Sequence, residues 1–356
     1  MNELIPIVSA AVSSGIASYG VAKWLIRHGG PVLRHDLPGI RSLHKHVTPR
    51  GGGLGLLVLV PAACLLVQGE AVDTKATIWW LFGLALPNGL LGAFDDCRPL
   101  PPQLKLILQF VIAYTFASAG YIVHFTDLSL LGAFGLEWTA PLLTSLWVVW
   151  LTNVFNFMDG MDALAGVSGI IFMTGLTVIE GSSSGTKAGI SGACIIAAGA
   201  VAGFLILNRP PARIFMGDGG ALFIGGMLAG ATVLLSEPGK GVPFAAPLLL
   251  MGTFVFDAGY TLIRRLFAGE RVLEPHCSHL YQRLARSGWS HAQVRSLYFG
   301  LNLMMGGGAL ILVHGDVVLR FFVWLISISA CVGLVAVTRR VERLSFIQQP
   351  MSHEQK

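Results

Sequence analysis

Apolar runs of about 18 to 23 residues, each long enough to cross a hydrocarbon core of roughly 30 Å as a helix, recur along this whole chain. A bilayer offers bare N–H and C=O groups no partner, so such runs are stable there as helices that satisfy their own backbone. The chain is therefore expected to be an all-α, polytopic integral membrane protein. Its composition agrees: 54% of the 356 residues are hydrophobic and only 12% are charged, where a soluble protein carries roughly 25%. Mean hydropathy is +0.69. No stretch remains for a large soluble domain, so residues 1–356 read as a single membrane-embedded unit.

Spans are expected at roughly 5 to 27, 52 to 69, 75 to 93, 104 to 124, 138 to 152, 163 to 180, 188 to 207, 219 to 236, 242 to 262, 293 to 314 and 317 to 338, about eleven or, with one break placed differently, ten. Connections after odd-numbered spans hold nearly all the loop arginines and lysines, and the opposite side has only Lys75, Lys187, Lys240 and Arg320. The positive-inside rule then puts the N-terminus in the periplasm and the C-terminus in the cytoplasm. Residues 263–292 are expected as a cytoplasmic loop carrying His276-Cys277-Ser278-His279. The net charge of +5 reads as this orientation signal and calls for no nucleic acid. The first apolar run follows Glu3 without a preceding basic residue, unlike a cleaved signal peptide, and reads as the first span. The five cysteines are scattered and odd in number, which argues against a disulfide framework.

With this topology, three acidic sites fall at cytoplasmic span ends: Asp95-Asp96, the stretch holding Asp159 and Asp162, and Asp218. Ionisable groups at membrane depth are costly unless paired, hydrated or bound to an ion, so the convergence points to a shared cation. In NVFNFMDGMD the residues Asn153, Asn156, Asp159 and Asp162 stand three apart, and on a helix they would fan across one half of the cylinder and line a wall. Asp95 and Asp96 are adjacent and cannot share one helix face; one is expected to face reactants while the other caps or orients. Lys105 and Gln109 share a face of the following span and are placed to meet an anion.

In RIFMGDGG a carboxylate sits between glycines at a span's start, where backbone amides and the helix dipole favour an anion. Asp218 would repel that anion unless Mg²⁺ lay between them, an ion often shared by one or two carboxylates and substrate phosphates. Basic and hydrogen-bonding groups come from HKHVTPRGGG, with His44, Lys45 and Arg50, and from HCSHLYQR. The adjacent His276 and Cys277 do not match structural zinc spacing. Cations beside acidic metal ligands suit phosphate chemistry, which must hold repelling anions together.

Taken together, GAFDDCRPLPPQLKLILQ, NVFNFMDGMDALAG, NRPPARIFMGDGGA and RRLFAGERVLEPHCSHLYQRL, with TPRGGGLG, resemble the polyprenyl-phosphate N-acetylhexosamine-1-phosphate transferase superfamily. The resemblance implies transfer of a sugar 1-phosphate from a UDP-N-acetylhexosamine to undecaprenyl phosphate in the bacterial inner membrane, with Mg²⁺ (or Mn²⁺) and release of UMP. It implies Asn156 and Asp218 as metal ligands with Asp159 nearby, Asp95 and Asp96 near the lipid phosphate, and Asp162 near the nucleotide. Lys105, Arg264, Arg265, His276 and His279 would surround the diphosphate or sugar, with Arg50 also binding substrate. A homodimer is compatible with this reading. Two small-for-small departures stand out: Asp162-Ala163 where the family often has Asp-Gly, and Gly220-Ala221 where it has Gly-Ser. Ser278 replaces the middle histidine of an HxHH pattern, which together with Leu280 to Leu284 points to the O-antigen branch and away from the peptidoglycan enzyme.

An ion-coupled transporter would carry its carboxylates at mid-membrane with inverted repeats, and neither pattern is evident. Aspartate-rich prenyltransferases of the UbiA group place their acidic motifs at four-residue spacing on two helices, unlike the spacing here.

Overall fold

The computed structural model describes residues 4–29, 33–37, 46–67, 72–123, 139–183 and 189–348. His44 and Lys45, expected on the basic side of the site, lie outside these residues. The described chain is helical almost throughout: α1 (Leu4–His28), α2 (Leu54–Val67), α3 (Val72–Cys97), α4 (Pro102–Ser118), α5 (Ala140–Met158), α6 (Leu164–Ser183), α7 (Gly189–Asn208), α8 (Gly217–Leu235), α9 (Ala245–Leu250), α10 (Gly252–Phe267), α11 (Leu280–Arg286), α12 (His291–His314) and α13 (Val317–Gln348). Two short strands, β1 (His35–Asp36) and β2 (Thr48–Pro49), pair antiparallel.

Among the described residues, eight helices are long and apolar enough to cross a membrane. The other three expected spans coincide with shorter elements: α2 has 14 residues, α4 has 17, and the ninth is interrupted at Met251 into α9 with 6 and α10 with 16. The expected loop 263–292 is also shorter than anticipated. Its first residues complete α10, and α11 forms directly after His279. Local sequence sets several ends. Pro101 and Pro102 start α4, where a missing N–H is harmless, and Ser290 caps α12 by accepting from the Gln293 amide at 3.2 Å.

The bundle is organised around α8, of which every residue except Asp218 is buried. Helices α2, α3, α5 and α6 pack around it. In lipid, helices gain little from hydrophobicity and associate through close van der Waals packing, so small residues mark the contacts. Gly92 of α3 lies directly against the Asp218 carbonyl and the Gly219 amide, and Gly53 lies on Gly220. Farther out, Gly199 and Gly203 of α7 meet Ala11 and Gly15 of α1 in the same way. The segment after β2 also joins α8's entrance: Arg50 bridges to Phe215 in parallel, and the amides of Gly52 and Gly53 donate to Phe215 O and Met216 O, both at 2.9 Å.

Adding a methyl group at Gly92 drives it into the α8 backbone, whereas a methyl at Gly83 on the same helix meets nothing within 4 Å. Gly92→Ala is expected to destabilise by about 1 to 3 kcal/mol and Gly83→Ala to leave stability nearly unchanged, as measured by thermal unfolding in detergent.

Candidate active site

A cavity of about 740 Å³ opens where α8 begins. Of the twelve side chains expected at a site, Asp95, Lys105, Asn156, Asp159, Asp162, Asp218, Arg50, Arg265, His276 and His279 line it, and Asp96 and Arg264 do not. Asn153 lines it as well.

The acidic wall is built by α3, α4, α5 and α8. Lys105 extends its ammonium between two carboxylates, donating to Asp95 Oδ2 at 2.9 Å and to Asp218 Oδ2. Asp95 Oδ1 accepts the Leu100 amide at 2.7 Å, which folds the proline-rich turn against the site. The Asn156 side chain lies within hydrogen-bonding reach of Asp218. Asp95 is thus the aspartate that faces the cavity. Asp96 is the cap: its carboxylate accepts the amides of Asp218 at 3.1 Å and Gly219 at 3.0 Å. This corrects two expectations. The anion at the start of α8 is the protein's own Asp96 rather than a substrate phosphate, and Asp96 caps α8 and does not line the cavity. Gly217 has a φ of 78° and sits against Asp96 Oδ2, leaving no room for a side chain.

The three-residue ladder is only half helical. Helix α5 ends at Met158, so Asn153 and Asn156 project from the helix while Asp159 caps it and Asp162 follows in a turn. Asn153 donates to Gln109 Oε1 at 2.7 Å, joining α5 to α4. Gln109 is buried in that contact and does not meet an anion at the cavity. Asp162 accepts the Ala212 amide at 3.0 Å, tying this turn to the loop before α8. Burial pushes the Asp159 carboxyl well above the usual carboxylate range; Arg50 opposes the shift, and Asp218, Asp96 and Asp162 add to it. Burial alone would lower Arg50, but Asp36, Asp218, Asp96 and Asp159 outweigh it and raise its pKa. Its Nε stands 3.3 Å from Asp36, a cavity residue that no motif had indicated.

The opposite wall hangs on one face of α10, whose Asp257, Thr261 and Arg265 stand four residues apart and are all buried. Arg265 donates from Nε to Glu270 at 2.8 Å and from Nη2 to the Arg271 carbonyl at 2.8 Å, so its guanidinium holds the loop rather than standing free for a diphosphate. Asp257, fully buried, accepts the amides of Leu280 at 2.8 Å and Tyr281 at 3.2 Å, where α11 starts. Tyr281 reaches across to donate to Phe157 O at 3.0 Å, and Gly160 leaves its hydroxyl room. Burial, then His279 and Arg265, hold the His276 imidazole down at about 4 against the pull of Glu270; it is neutral near pH 7. Ser278 Oγ lies 3.0 Å from His276 Nδ1.

Among the described residues, no group of three or more His, Cys, Asp or Glu side chains forms a metal cluster. The side chains that do converge are Asp95 and Asp218, which share the Lys105 ammonium, and Asn156, whose amide lies within hydrogen-bonding reach of Asp218.

Residues 78–236 match the sequence profile of glycosyl transferase family 4. A Bacillus subtilis (strain 168) protein described as a probable undecaprenyl-phosphate N-acetylglucosaminyl 1-phosphate transferase is 30% identical over 295 residues, 82% of this chain and 81% of that one. The chain belongs to this family. Similar relatives include phospho-N-acetylmuramoyl-pentapeptide-transferases of Prochlorococcus marinus (strain MIT 9313), 32% identical over 69% of this chain and 67% of that one, and of a Picosynechococcus strain, 30% identical over 84% of each. The protein is accordingly a multi-pass membrane phosphotransferase of the polyprenyl-phosphate hexosamine-1-phosphate transferase superfamily.

Within this family pattern the departure at Ala163 has a structural consequence. Ala163 is the one non-glycine residue with positive φ among the described residues, at 62°. It is held there because its amide donates to Asn208 Oδ1 at 3.0 Å while Asn208 Nδ2 donates to Ile214 O at 2.9 Å. A left-handed alanine costs roughly 1 to 2 kcal/mol, partly offset by the smaller entropy it loses on folding. Ala163→Gly is expected to stabilise by about 0.5 to 1 kcal/mol, read as a higher unfolding temperature in detergent; an unchanged or lower temperature would contradict the strain.

Proposed function

We propose that the protein transfers an N-acetylhexosamine 1-phosphate from a UDP-sugar to undecaprenyl phosphate, releasing UMP and initiating a lipid-linked glycan such as O-antigen. The observation that carries this reading is the convergence of Asp95, Lys105, Asn156 and Asp218 from four helices on one cavity. The enrichment of basic residues on the same side supports a cytoplasmic active site in the inner membrane, with the N-terminus periplasmic and the C-terminus cytoplasmic.

The oxygen donors of Asp218, Asn156 and Asp95 fit Mg²⁺ or Mn²⁺, hard ions that share a few carboxylates with water and phosphate. A bound divalent ion would supply charge neutralisation on the transferring phosphoryl group. The chain's own residues do the rest. A phosphate monoester with a second pKa of about 6 is already a nucleophile near neutrality, so little base strength is required. Lys105 and Arg50 offset the repulsion between the lipid phosphate and the diphosphate. Asp95, held by Leu100 N and Lys105, accepts a residual proton or orients the attacking oxygen. Asp162 and the turn beside it form the nucleotide side, and His276 and His279 flank the diphosphate or sugar. The lipid phosphate attacks the β-phosphorus in line, its oxygen forming the new P–O bond as the bond to UMP breaks.

The similarity to phospho-N-acetylmuramoyl-pentapeptide-transferases supports a second reading with a larger muramoyl donor. The resemblance of the HCSH motif, with Ser278 where many members have a histidine, to the O-antigen branch supports the N-acetylhexosamine donor. Membranes containing the protein, given Mg²⁺, undecaprenyl phosphate and a panel of UDP-sugars, are expected to release UMP with a UDP-N-acetylhexosamine and to fall to background with Asp218→Asn. Release with only the UDP-muramoyl-pentapeptide would favour the second reading, and no UMP from any donor would overturn both.

A further inference from the structure

We infer that Asp257 is a positioning residue for the transfer reaction, acting through His279. The inference rests on the reading that His279 flanks the reacting diphosphate or sugar. Asp257 is a fully buried carboxylate inside α10 and does not line the cavity. Such a group is costly unless its oxygens are satisfied. Its partners gather around one short piece of chain: the Leu280 and Tyr281 amides at the start of α11, the hydroxyls of Thr261 and Tyr298, and His279 Nδ1, 3.4 Å from Oδ1.

Two consequences follow for His279. As the residue immediately before α11, its backbone is fixed by the same carboxylate that receives the first amides of that helix. Its ring is fixed as well. Nδ1 is buried without a hydrogen bond and stands 3.4 Å from Asp257 Oδ1, so the carboxylate acts on the ring through its charge. A carboxylate facing one ring nitrogen favours the proton there and leaves the other nitrogen for a ligand. His279 lines the cavity, and a proton held on Nδ1 leaves Nε2 as the nitrogen free for substrate. Phe157 stacks on the ring at 5.9 Å between centroids, limiting its rotation. Arg265, further along the α10 stripe, holds residues 270–274 of the segment that leads into His279.

The test is a double-mutant cycle on purified full-length protein, with UMP release read as kcat and KM. Asp257→Asn is expected to lower kcat about tenfold or more, with KM for the UDP-sugar within about twofold of the original. In a His279→Gln background, the same substitution is expected to change kcat by less than about twofold. Equal losses in the two backgrounds would overturn the inference, and so would a His279→Gln variant with unaltered kcat, since nothing would remain for Asp257 to act through. If Asp257→Asn does not fold, Asp257→Glu keeps the charge but moves it by one methylene, and the same pattern is expected. A second readout needs no catalysis. Site-resolved maleimide labelling of Cys277, two residues before His279, is expected to quicken about threefold or more in Asp257→Asn as the segment loosens. Unchanged labelling would overturn the inference even if the substrate assignment had failed.

Discussion

The amides at the start of α8 need an acceptor, and the rest of the site depends on which group supplies it. Asp96 does so from α3, 122 residues earlier in the chain. A carboxylate on helix N-terminal amides is favoured both by the hydrogen bonds and by the dipole. The contact also sets a distance: at Gly92, α3 meets the backbone of Asp218 and Gly219 directly, and Gly217 leaves room for the Asp96 carboxylate. Asp95, the next residue back, then turns to the cavity beside Asp218. Two carboxylates so placed would repel each other, and the Lys105 ammonium between them balances the pair.

The facing wall is built by different means. Where the acidic wall relies on rigid helix crossings, the histidine wall is a loop folded onto α10 by three buried polar side chains one turn apart. Arg265 holds residues 270–274, and Asp257, to which Thr261 donates, holds the start of α11. Tyr281 and Arg50 reach from one structural group to another, the first to α5's last turn and the second toward Asp36 and the carboxylates. The cavity thus combines a cation-balanced acidic side with a side carrying neutral His276, an arrangement suited to two phosphate groups that must approach each other.

Much of this was legible in the sequence because it is periodic or local. Apolar runs gave the all-α membrane class, with eight helices among the described residues long enough to cross, and the acidic motifs expected to converge do meet at one cavity. Adjacency alone showed that Asp95 and Asp96 must divide their roles. Which took which role was not legible, because the cap bond joins residues of two separate helices. For the same reason the glycine-flanked Asp218 read as an open anion site when Asp96 already fills it. Arg265 read as a substrate cation since its partners, mostly backbone carbonyls of the following loop, have no sequence signature. The Asp257, Thr261 and Arg265 stripe did have one, at helical spacing, but a single aspartate in an apolar run drew no notice beside the denser motifs. Asp36 belongs to no motif and enters the site through strand pairing.

In the proposed reaction, Asp218, Asn156 and Asp95 are the residues that would hold a divalent cation. Electron paramagnetic resonance of Mn²⁺ titrated into purified protein tests it without any dependence on turnover. Loss of the free-ion signal at about one ion per chain, with affinity weakened about tenfold or more by Asp218→Asn, is the expected result. Equal Mn²⁺ binding by the two proteins would contradict it.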